Sequence, residues 1–142
     1  MKTQFLSIAT LLLAVAAVFA LQSCEKDDDQ PTPSVREKLV GTWDITSFKV
    51  DTSEYMGTVV ETASIRFDTI SGTQGDFRQT IKYVDEDPAE ILDGKYKIEN
   101  GNQVVMTADG ETKTLKATVS GALLQLEGTD NGKKVVMKGK KR

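Results

Sequence analysis

Apolar residues are distributed along this chain in two distinct ways. From Phe5 to Leu21 they run almost without interruption, whereas from about Val35 to Arg142 they alternate with polar residues in short runs cut by turn signals. Alternation puts every second side chain on one face of an extended strand and is out of step with a helix. It predicts eight strands: Gly41–Val50, Thr58–Asp68, Asp76–Val84, Gly94–Glu99, Gln103–Ala108, Thr112–Val119, Ala122–Glu127 and Lys133–Lys140. The second puts Val59, Ala63, Ile65 and Phe67 on one face, and the third sets Phe77, Ile81 and Tyr83 against Arg78, Thr80 and Lys82. Only Val35–Val40 suits a helical turn, with Ser34 as N-cap and Glu37 three residues on in capping-box spacing.

Short connections fix the order of the strands. Asn100-Gly101 and Asp109-Gly110 tolerate the positive φ of type I′ hairpins, and Ser120-Gly121 and Asn131-Gly132 read as tight turns. Such turns pair neighbours antiparallel, and eight strands in up-and-down order close into a barrel without free edges. An open sandwich needs long crossovers, and none is visible. The expected inward set is Trp43, Ile45, Ile65, Phe67, Phe77, Gln79, Ile81, Tyr83, Tyr96, Ile98, Val104, Met106, Leu115, Val119, Leu124, Leu126, Val135 and Met137. Eight strands enclose room for side chains or for one small ligand, so a filled barrel and a hollow one both stand. Gln79 is the one polar member, either a ligand handle or a satisfied core amide.

Composition narrows the chemistry. Among 142 residues, 39% are hydrophobic and 27% charged, with 18 Lys and Arg against 21 Asp and Glu. The single cysteine and absent histidine exclude a His/Cys zinc cage, a Ser-His-Asp triad and a disulfide within the chain. A net charge of −3 argues against nucleic acid as a partner. Carboxylate pairs fall in loops and no lysine sits in an apolar setting, so neither catalysis nor a cofactor is expected. Strand direction gathers Asp51, Glu54, Asp85, Glu86, Asp87, Glu90, Asp109, Glu111 and Asp130 at one end, the expected acidic mouth. Lys133, Lys134, Lys138, Lys140, Lys141 and Arg142 lead back to the other end. An acidic mouth either repels anions, favouring neutral or cationic ligands, or serves solubility alone. The basic tail either sits on lipid phosphates or protects an edge strand.

The uninterrupted apolar run has the form of a secretory leader, with Lys2 supplying its positive n-region. It ends Leu21-Gln22-Ser23-Cys24, which resembles the lipobox of bacterial lipoproteins. The resemblance implies cleavage before Cys24 and acylation of that residue, with palmitate-type chains holding the protein on a membrane; the alternatives are an ordinary leader or an uncleaved anchor. Residues 1–23 are then leader, 24–34 an acidic tether beginning Glu25-Lys26-Asp27-Asp28-Asp29, and 35–142 the barrel domain. The acidic run behind Cys24 resembles the export signal of Bacteroidota lipoproteins, implying the outer membrane and its cell-surface face, with the periplasmic face as the other orientation. A hydrated run of aspartates has no preorganised geometry, so no metal site is expected there.

Leu39-Val40-Gly41-Thr42-Trp43 carries the Gly-x-Trp signature that opens the first strand of lipocalins. With the lipobox and the strand count, the chain resembles the small lipocalin-like lipoproteins of Bacteroidota over about residues 39–142. It departs from lipocalins at Ser120-Gly121, where they carry a Thr-Asp-Tyr turn. The resemblance implies that Trp43 closes one barrel end with Lys141 or Arg142 over its ring. It implies a lid at Tyr55 and Met56, which otherwise fold down as core, and a small apolar or amphipathic ligand. Phe67, Phe77, Gln79, Ile81, Tyr83, Tyr96 and Met106 are then the candidate contacts within the barrel. The other reading is a surface adaptor, a filled barrel whose loops bind a protein or glycan.

Overall fold

The computed structural model describes residues 34–142; the leader, Cys24 and the tether as far as Pro33 lie outside the described residues. A single helical turn, α1 (Val35–Leu39), begins where the Glu37 carboxylate accepts a hydrogen bond from the Ser34 N–H at 3.1 Å. It delivers a fully buried Leu39 to the end of the barrel. Nine strands follow: β1 (Gly41–Val50), β2 (Ser53–Glu54), β3 (Val60–Phe67), β4 (Gly75–Tyr83), β5 (Glu90–Glu99), β6 (Gln103–Ala108), β7 (Glu111–Ser120), β8 (Leu123–Asp130) and β9 (Lys133–Lys141). Apart from the two-residue β2, which only extends the edge of β1, they pair in sequence order, and β9 returns to β1. The result is the expected closed eight-stranded, up-and-down antiparallel barrel, lipocalin-like and preceded by a short helical turn.

The turns form for the reason read from their residues. Asn100-Gly101, Asp109-Gly110 and Asn131-Gly132 all hold positive φ at both positions, which matches the twist of the strands they join. At the remaining hairpin only Gly121 is left-handed, because Ser120 still belongs to β7.

Three strand expectations need correction. A bulge between Ile45 and Ser47 switches the parity of β1, so the interior receives Trp43, Ile45, Phe48 and then Val50. A register shift between Val60 and Thr62 does the same in β3: Val60 is buried and Val59, expected on one face with Ile65 and Phe67, is exposed. β5 begins at Glu90, four residues before the expected start, because Gly94 lies within the strand and does not break it. The Phe77 ring of β4 covers that glycine; a Cβ there would come within 2.6 Å of the ring and would also strike the Thr107 carbonyl. Gly75, opposite Tyr96, is covered by that ring in the same way.

Candidate functional site

The barrel is solid at the end where β1 starts. The Trp43 indole N–H donates to the Leu39 carbonyl at 2.8 Å, so α1 and the indole form one plug. Lys141 Nζ stands 5.2 Å from the centre of the Trp43 ring, and Arg142 pairs instead with Asp44. Phe67 and Tyr96 meet edge to face at 4.9 Å, and the Tyr96 hydroxyl donates to the Asp68 carbonyl at 2.5 Å. Burial, then the nearby Asp68 charge, holds the Tyr96 hydroxyl above its ordinary pKa. Val104 and Leu126 complete this layer with no exposure to solvent.

At the opposite end the interior is hollow. A cavity of about 460 Å³ opens there, walled chiefly by Phe48, Phe77, Leu92, Met106, Leu115, Val135 and Met137. Val50, Ala108 and Gln79 also face it. Among the described residues the Gln79 side chain has no protein hydrogen-bond partner, and it is half-buried where the cavity meets a void of about 20 Å³ beside Ile81 and Val60. That is the position of a free amide and not of a satisfied core amide.

Of the candidate contacts, Phe77, Gln79 and Met106 therefore line the cavity, whereas Phe67 and Tyr96 belong to the solid base. Ile81 lines only the small void. Tyr83 is half-buried near the upper end of β4, its hydroxyl pKa raised by burial and then by Glu90. Tyr55 and Met56 do not line the cavity either. β1 pairs with β3 only from Gly41 to Asp44, and the segment Asp51–Val59 fills the gap above. Tyr55 packs on Phe48 at 5.7 Å, its N–H donates to the Phe48 carbonyl, and Met56 packs against the core. Glu54 pins this flap: its carboxylate accepts from Ser47 Oγ at 2.6 Å and from the N–H groups of Phe48 and Met56 at 2.8 and 3.1 Å. Phe48, Val50 and Leu92 are cavity residues missing from the expected inward set. The return of apolar residues at even positions, Phe48 and Val50, is the signal for the first two.

The mouth is not uniformly acidic. Its loops carry acidic residues alone, but the strand ends add Lys113 and Lys133 to a rim that also holds Asp109, Glu111 and Asp130. Lys133 and Lys134 thus stand at the mouth and not at the base, because β9 begins there. Lys113 pairs with Asp130 at 3.1 Å. Among the described residues, no group of histidine, cysteine or acidic side chains is placed to hold a metal ion.

A small closed antiparallel barrel, plugged by a tryptophan at one end and hollow at the other, defines the structural class. No protein-family model matches the chain, and no curated protein matches it. Among solved structures, a redesigned β-barrel is similar with a TM-score of 0.58 and 13% identity, covering 80% of this chain and 99% of that one. Japanin from Rhipicephalus appendiculatus, bound to cholesterol, has a TM-score of 0.55 and 12% identity over 76% of this chain and 79% of japanin. A variant of the fluorescent protein UnaG matches with a TM-score of 0.44 and 14% identity, over 75% and 97% of the two chains. The first two likenesses establish the fold.

Proposed function

We propose that this protein binds a small apolar or amphipathic molecule in the hollow half of its barrel, without catalysis or cofactor, while acyl chains on Cys24 hold it at the outer membrane. The observation that carries the reading is the cavity: about 460 Å³, walled by apolar side chains and open at the rim. That volume lies in the range of small-molecule sites, which are mostly apolar with a few placed polar groups. Gln79 supplies such a group. Japanin, a barrel of similar fold, holds cholesterol, which supports the use of such an interior for an apolar ligand.

An uncharged solvatochromic dye tests the reading. It is expected to brighten on mixing with the protein, and Val135→Trp, which fills the cavity from its wall, is expected to abolish the signal. Ile91→Trp, on the exposed outer face of β5, should leave it intact. No binding by the unsubstituted protein would overturn the carrier reading in favour of a surface adaptor.

The anchor is supported by the apolar run ending Leu21-Gln22-Ser23-Cys24. Each buried CH₂ of an acyl chain contributes about 0.8 kcal/mol, and stable attachment takes more than one chain. Cys24→Ser is expected to remove incorporation of a labelled fatty acid and, by leaving the apolar leader uncleaved, to withdraw the protein from the outer-membrane fraction. Retention of either property would exclude acylation at Cys24 as the anchor.

A further inference from the structure

Gln79 stands apart from the other polar residues of the cavity. The charged groups that border it, Asp109, Glu111, Lys113, Asp130 and Lys133, are all at the rim. Gln79 lies four residues along β4 from the mouth end at Tyr83, roughly 14 Å away at ~3.4 Å per residue. Strand pairing frames it with apolar side chains. Ile65 is opposite on β3 and Leu92 on β5, while Phe77 and Ile81 precede and follow it on the same face. None of these four side chains donates or accepts a hydrogen bond. The amide therefore meets the cavity with its carbonyl and its NH₂ group both unused by the protein among the described residues.

Water can serve that amide while the cavity is open to solvent. A ligand that fills the cavity displaces the water, and a purely apolar one strands donors and an acceptor in an apolar wall. A ligand carboxylate could accept from the NH₂ group, but it would bring a charge to a depth where no cation stands. An ammonium group could donate to the carbonyl and lacks a counter-charge there in the same way. A hydroxyl donates to the amide carbonyl or accepts from its NH₂ group, whichever way the amide is turned, and carries no charge.

We propose that Gln79 is the specificity-determining residue of the barrel, selecting among apolar molecules those with an uncharged hydroxyl at the end that enters first. This rests on the carrier reading and adds to it the chemical class of the ligand's buried end.

Competition against the uncharged dye in the full chain tests it, with Val135→Trp as the blank for dye held outside the cavity. The competitors 1-octanol, 1-chlorooctane and octanoate offer similar apolar tails. Gln79→Met keeps the length of the side chain and removes the amide. It is expected to lower the ratio of octanol to chlorooctane affinity about ten-fold, because the alcohol loses a hydrogen bond and the chloride no longer strands an amide. Octanoate, whose charge stays at the rim, should bind Gln79→Met at least as well as the unsubstituted barrel. The thermal midpoint of the variant should be kept or raised, since the amide has no protein partner among the described residues. An unchanged ratio, or a loss of octanoate equal to that of octanol, would overturn the selection and leave the carrier reading standing. A variant that melts several degrees lower, or does not fold, would show that the protein itself uses the amide and would overturn the selection too. Failure of the unsubstituted barrel to bind the dye at all would remove both readings.

Discussion

Glu54 shows how much of this molecule's shape rests on single polar side chains at the mouth. Its carboxylate gathers the Ser47 hydroxyl and the Phe48 and Met56 N–H groups, tying the flap to β1 where β3 has peeled away. The Ser47 hydrogen bond, followed by the two backbone donors, holds its pKa below the ordinary 4.5, against an opposing effect of burial. A carboxylate whose folded pKa is depressed contributes stability that is complete above its unfolded pKa and is lost as pH falls through the folded value. The flap is therefore expected to loosen progressively as pH falls from about 4.5, where the unfolded carboxylate is half protonated, through the lower folded value. Glu54→Gln should behave at neutral pH as the unsubstituted protein does in acid, with faster amide exchange at Tyr55 and Met56 and a loss of about 1 kcal/mol, because the site is solvent-exposed. Residue-resolved exchange at two pH values measures it. A flap equally protected at pH 7 and pH 3.5 in the unsubstituted protein would show that Glu54 does not hold it.

At the scale of the element, legibility followed the phase of the apolar residues. Dipeptides such as Asn100-Gly101 and Asp109-Gly110 announce their hairpins because few other residues accept positive φ twice in succession. Strict alternation failed where a strand changes phase. In β1 the apolar positions move from Trp43 and Ile45 to Phe48 and Val50, and the bulge between Ile45 and Ser47 absorbs the extra residue. The break is visible in the residues themselves. In β3, adjacent Val59 and Val60 leave the phase undetermined, and only pairing with Tyr83 decides which is buried. Gly94 reads as a strand boundary until Phe77, on another strand, is known to cover it. The cavity is less legible still. Phe67 and Phe77 have the same alternation and the same residue type, yet one packs against Tyr96 in the base and the other lines the hollow. That difference depends on depth along the barrel, which local patterning does not encode. The early end of the β7–β8 ladder at Lys116 and Glu127 was unreadable, because no breaker residue marks it.

The whole molecule divides its labour along the barrel axis. At the Trp43 end, α1, the indole, Phe67, Tyr96, Val104 and Leu126 leave no space. At the other end the wall loosens between β1 and β3 and again between β7 and β8, and the interior empties. The proposed carrier role needs both conditions: the packed base supplies cooperative stability, and the mouth can open without unfolding the rest. Stability in such a molecule should be graded along single strands. β7 provides the sharpest comparison, since Thr114 and Thr118 direct their backbone groups to the same side, but only Thr118 has a ladder partner, Gln125. The Thr114 amide is expected to exchange by local fluctuation at low opening cost, while Thr118 and the base residues Val104 and Leu126 exchange only near the free energy of global unfolding. Uniform protection from Thr112 through Thr118 in the free protein would mean that the ladder closes in solution and that the mouth is no looser than the base.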